Sequence, residues 1–134
     1  MKSTHATLFA ALALAFPSVS AASEPDVPKV RFSADYEHCV ARDSSHAHMG
    51  DCLQQEQDHA EDELNATWRA VLARQSPARR LKLRGEERQW IARREQACEA
   101  VYQEMNNGNG AGQAEMSCYA SYAIQRTAEL RRLR

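Results

Sequence analysis

Apolar residues recur along this chain at helical spacing and almost never alternate with polar ones. Leu53, Ala60, Leu64, Trp68, Val71 and Leu72 fall on one stripe, which predicts a first long helix from near Asp51 to Ser76. Leu83, Trp90, Ile91, Cys98, Val101, Tyr102 and Met105 form a second stripe, which predicts a helix from Pro77 to about Met105. Ser76 is its expected N-cap, with Pro77 at the first helical position. Gly85, inside this second stripe, costs about 1 kcal/mol against Ala and marks a candidate kink or close packing contact. Asn106-Asn107-Gly108-Asn109-Gly110 is the clearest loop. Beyond it, Met116, Tyr119, Ala120, Ala123, Thr127 and Leu130 predict a last helix over Gln113 to Arg132. A short helix is expected over Ser33 to Ala41, then a polar loop through Ser44-Ser45 to Gly50. β-Branched residues are scarce, no hairpin signal appears and no internal repeat is evident. The fold class is all-α: a small antiparallel bundle of three long helices plus a short N-terminal one.

The start of the chain follows another pattern. Lys2 precedes the apolar run Ala6 to Phe16, Pro17 breaks it, and Ser20-Ala21-Ala22 offers a small-residue cleavage site. The run is too short for a stable membrane anchor, so residues 1–22 read as a secretory signal peptide. The first Cys is Cys39, so no lipid anchor is expected at the cleavage point. Residues 23–32 read as a flexible arm and residues 33–134 as the helical domain. The expected location is the periplasm or the exterior, with no membrane insertion after cleavage.

Removing the leader changes the composition. Apolar residues are 43% of the whole chain but about 39% of the remaining 112, and sixteen of those are Ala. So thin a core is helped by covalent staples, which four Cys in an exported chain supply. A multidomain enzyme, a Rossmann domain and a C-x-x-C zinc ribbon are excluded. The formal charge of −1 becomes −2 without Lys2, which argues against a nucleic-acid partner. Charge is nevertheless segregated: Asp35 to Asn65 holds nine acidic residues and one Arg, and Ala66 to Arg94 nine basic residues and two Glu.

Antiparallel packing gathers the cysteines. Cys52 opens the first long helix, Cys98 lies late in the second and Cys118 early in the last, so all three share one end, and Cys39 folds back to reach them. The expected pairing is Cys39–Cys52 with Cys98–Cys118, each closing a local loop; Cys39–Cys118 with Cys52–Cys98 fits the same clustering. Either set contributes about 2–4 kcal/mol per bridge.

Three motifs then carry a resemblance. Ala60-Glu61, Leu64-Asn65 and Trp68 are similar to A-D-x-x-L-N-x-x-Y. Leu83, Trp90-Ile91, Arg94-Glu95 and Cys98 are similar to L-x-x-x-Q-x-x-W-[LI]-x-x-R-D-x-x-C. Cys118, Arg126 and Leu130 are similar to a closing C-x-x-x-x-x-x-x-R-x-x-x-L. In this order, with the early Cys pair, they resemble the LprI-type lysozyme inhibitor domain of small exported, mostly bacterial proteins, over about residues 36 to 133. Glu61 and Glu95 replace the usual Asp, Trp68 replaces Tyr, Glu87 stands where Gln is usual and Ala123 where Thr is common. These exchanges keep charge or bulk at most positions.

The resemblance implies a binding protein, with lysozyme or another extracytoplasmic protein as partner. The acidic helix residues Glu56, Asp58, Glu61, Asp62 and Glu63 form the candidate binding face, suited to steering a basic enzyme. Asn65, Arg94, Glu95 and Arg126 lie beside apolar stripe positions and are expected to form a buried network fixing helix register. No nucleophile or metalloprotease motif is present, so no catalysis and no cofactor are expected. The alternative is a periplasmic interaction or stress module with another partner. His38, His46, His48 and His59, interleaved with Asp43, Asp51 and Asp58, are its candidate metal ligands, read by default as an exposed polar loop.

Overall fold

The computed structural model describes residues 25–106 and 108–133, so the expected signal peptide lies outside the described residues. Four helices follow one another: α1 (Ala34–Val40), α2 (His46–Ala73), α3 (Pro77–Glu104) and α4 (Ala111–Arg131). No strand occurs among the described residues.

Local chemistry sets each start. Ser33, Ser45 and Ser76 cap α1, α2 and α3, their hydroxyls accepting from the backbone N–H of Tyr36, His48 and Arg79. Side-chain caps of this kind satisfy donors that the first helical turn leaves unpaired. At the α2–α3 corner, Arg80 donates to the carbonyls of Gln75 at 2.8 Å and Ala73 at 3.3 Å, closing the other end of α2. Ser76→Ala is expected to cost about 1 kcal/mol in a urea titration; a change below about 0.3 kcal/mol would show that the hydroxyl does not hold the start of α3.

Helix α2 begins five residues earlier than its apolar stripe predicts. The Asp43 carboxylate accepts from both the N–H and the hydroxyl of Ser45, at 2.8 and 2.9 Å, and so fixes the cap at Ser45. These bonds hold the Asp43 pKa below the usual carboxylate range. Gly50, expected to end the loop, sits inside the helix. A Cβ there would stand 3.2 Å from the Gln113 side chain, whose Nε2 donates to the His46 carbonyl. Helix α4 likewise starts two residues early, after Gly110 at a φ of +104°. Gly85 meets only the tip of Arg88 at 3.9 Å, so no close packing explains it.

Helix α4 is the centre of the bundle, packed on both α2 and α3, while α1 packs chiefly on α2. Small residues permit the close approach: Ala60, Ala120 and Ala123 are all 2% exposed or less. The core joins Ala60 and Ala123 to Leu64 and Val71 of α2, Leu83 and Trp90 of α3, and Leu130 of α4. Met105, expected on the α3 stripe, is exposed because α3 ends at Glu104. The bridges are Cys39–Cys52 and Cys98–Cys118. Residues 25–32, read from the sequence as part of a flexible arm, turn at Pro25–Val27 and are tied to α4, where the Tyr122 hydroxyl donates to the Asp26 carbonyl at 2.9 Å.

Candidate functional site

The motif residues meet where α2, α3 and α4 face one another. Trp90 lies at the centre, 8% exposed. The Arg94 guanidinium stands 4.7 Å from its ring centroid and that of Arg126 5.7 Å away, both close enough for cation–π attraction. Arg94 also lies 5.3 Å from the Tyr119 ring. Each cation has its own carboxylate. Arg94 reaches back one helix to Glu61 at 2.5 Å, and Arg126 reaches Glu87 of α3 at 2.6 Å and Glu129 of its own helix at 3.0 Å. Burial works against the Arg126 charge, but the hydrogen bonds to Glu87 and Glu129 outweigh it and raise its pKa. The network therefore holds its charges as pairs and ties all three long helices at one level.

A hollow of about 140 Å³ opens beside the network. It is lined by Glu61, Asn65 and Trp68 of α2 and by Glu87, Trp90 and Arg94 of α3. Leu64 and Leu130 are buried core residues. Asn65 is exposed, and so is Glu95, which shares no hydrogen bond with the network. Glu87 and Tyr119 enter the arrangement without having been singled out for these roles from the sequence. The signal available was the i, i+3 and i, i+4 spacing of Glu87 to Trp90 and Ile91 on one face of α3.

The acidic face divides into inward and outward members. Glu56 is 3% exposed, and its carboxylate accepts from the Ser33 N–H at 2.8 Å and from the Ser33 hydroxyl. It anchors the start of α1 and is not available to a partner, a correction to the expected face. The reason is that α1 docks on this flank of α2. Glu63 is exposed and paired with Arg131 at 2.7 Å. Asp51, Asp58 and Asp62 are exposed, share one stripe of α2, and take part in no ion pair among the described residues.

The four histidines do not converge. His38, His46 and His59 are exposed on different turns. His46 and His48 lie in the first turn of α2 and not in a loop. His48 alone is drawn inward: its Nε2 lies 2.8 Å from the Cys39 carbonyl, 3.5 Å from Cys52 Sγ and 3.9 Å from Cys39 Sγ.

The described residues thus form a disulfide-stapled helical bundle whose shared polar chemistry is spent on holding helices together. None of its helices is long and apolar enough to cross a membrane. The sequence model of the family described as "Lysozyme inhibitor LprI" matches residues 39–130, and the chain belongs to that family. The description of the family is that of an inhibitor. No curated protein and no solved structure matches the chain.

Proposed function

We propose that this chain is an exported inhibitor of lysozyme, carried out of the cytoplasm by residues 1–22 and acting by binding alone. Membership of the inhibitor family is the observation that carries this reading. The surface supports it: Asp51, Asp58 and Asp62 present three carboxylates along α2 with no internal cation to neutralise them. Strongly basic lysozymes are the partners such a stripe attracts, and electrostatic attraction of this kind acts mostly on the association rate. The two bridges and the paired charges of the core supply the stiffness that lets a small surface bind without a large ordering cost.

Clearing of a peptidoglycan suspension by a basic lysozyme is expected to slow in proportion to added protein at low salt. The effect weakens as salt rises. Asp58→Lys/Asp62→Lys should cut the association rate by about tenfold or more while leaving the unfolding midpoint within about 0.5 kcal/mol of wild type. No inhibition by micromolar protein at low salt, across a panel of lysozymes, would overturn the proposal.

A further inference from the structure

Cys39, His48 and Cys52 are the one group of three metal-ligating side chains that converges among the described residues, with ligand atoms all within 4.8 Å of one another. The two sulfurs are joined in a disulfide, which cannot serve as a pair of thiolate ligands. We propose that when a dithiol reduces the Cys39–Cys52 bridge, the two thiolates and His48 Nε2 bind one zinc-class divalent cation, which replaces the bridge as the link between α1 and α2.

The geometry supports this before any rearrangement. Tetrahedral zinc binds sulfur at about 2.3 Å and imidazole nitrogen at about 2.0–2.1 Å, which separates neighbouring N and S ligands by about 3.6 Å. The His48 Nε2 stands 3.5 and 3.9 Å from the two sulfurs. Opening the bridge moves the sulfurs toward the spacing of about 3.8 Å that two thiolates take on one such ion. Cys52 and His48 are four residues apart on α2, one helical turn, so both project to the same side. Cys39 comes from α1, which has a hold on α2 besides the bridge: Glu56 accepts both the N–H and the hydroxyl of Ser33. That anchor keeps Cys39 close to Cys52 after the S–S bond opens. A hollow of about 160 Å³, bordered by both cysteines and by Asp35, Gln55 and His59, gives reductant and ion a way in. The Cys98–Cys118 bridge belongs to no such group, and so acts as an internal comparison.

The chemistry balances. The dithiol supplies two electrons and two protons: its own sulfurs join, the Cys39–Cys52 bond breaks, and each protein sulfur takes up a proton. Metal binding then releases both protons to solvent as the thiols become thiolate ligands. His48 Nε2 gives up its hydrogen bond to the Cys39 carbonyl, moving its proton to Nδ1, and offers its lone pair. Three protein ligands leave a fourth position for water.

The test uses the purified full chain and Zn²⁺, with Co²⁺ as spectroscopic probe, and a phosphine reductant that does not compete for the ion. No lysozyme enters it, so its outcome is independent of the inhibitor reading. The reduced protein is expected to bind one Zn²⁺, and with Co²⁺ to show the thiolate charge-transfer band of two sulfurs and tetrahedral visible bands. His48→Gln should weaken binding at least tenfold, Cys39→Ser/Cys52→Ser should abolish it, and the oxidised protein should show none. Helical circular dichroism, followed in parallel, should be retained or regained on adding Zn²⁺. Equal binding by His48→Gln, survival of binding in the double Ser variant, or metal uptake without helical structure would each overturn the proposal.

Discussion

Arg126→Ala should remove about 3–5 kcal/mol of folding stability, read as a lower urea midpoint with little change in slope. The magnitude follows from what is left behind. Glu87 has a side chain only 12% exposed, and its partner Arg126 is 14% exposed. Deleting the guanidinium leaves a carboxylate on α3 without its cation and with little access to water, and it frees Glu129 as well. Trp90 also loses one of the two cations beside it. Breaking a desolvated pair costs far more than the pair contributes net, because the remaining charge is unpaid for by hydration. The double exchange Glu87→Leu/Arg126→Met should therefore recover most of the loss. A shift under about 1 kcal/mol for Arg126→Ala would show that Glu87 is hydrated after all. Against the roughly 5–15 kcal/mol that separates folded from unfolded domains, the expected loss is large.

Opening the Cys98–Cys118 bridge should cost about 3 kcal/mol by chain entropy, from a sequence separation of 20 residues. Cys98→Ala/Cys118→Ala is expected to lower the global midpoint accordingly. The matching change at Cys39 and Cys52, separated by 13 residues, has a similar chain-entropy term of about 3 kcal/mol. It should nevertheless move the global transition less. Cys98 and Cys118 join α3 to α4, which both contribute to the core, whereas α1 packs chiefly on α2, adds no residue to that core and can open by itself. Hydrogen exchange separates the cases: loss of the first bridge should raise exchange throughout α3 and α4, and loss of the second mainly in α1. Equal, uniform effects would contradict this division.

Much of the fold is legible from periodicity and punctuation. Ser76-Pro77 marks the start of α3 because cap and ring both act locally. Helix order gathers the cysteines at one end, since α2, α3 and α4 alternate in direction, but that clustering also fits Cys52 with Cys98, and the packing selects Cys39–Cys52 and Cys98–Cys118. The start of α2 was hidden because Gly50 resembles loop punctuation, while the signal that mattered was the side chain of Asp43 on Ser45. Glu56 differs from the rest of the acidic segment for another reason. Its spacing from Leu53 and Ala60 already puts it on the apolar side of α2, away from Asp58 and Asp62, and the docking of α1 covers it there.

By itself the sequence determined that this protein is a stapled all-α bundle of the inhibitor family, because helical stripes, caps and cysteine spacing are properties of the chain within a few residues of each position. Only the tertiary structure decided which charges are paired and which are offered to a partner. Periodicity says which residues share a face but not what stands opposite it. Glu61 and Asp62 are consecutive, yet one holds Arg94 across the helix interface while the other is free in water. The same holds for the histidines: four lie close together in the chain, but the approach of α1 to α2 sets His48 alone against a pair of sulfurs.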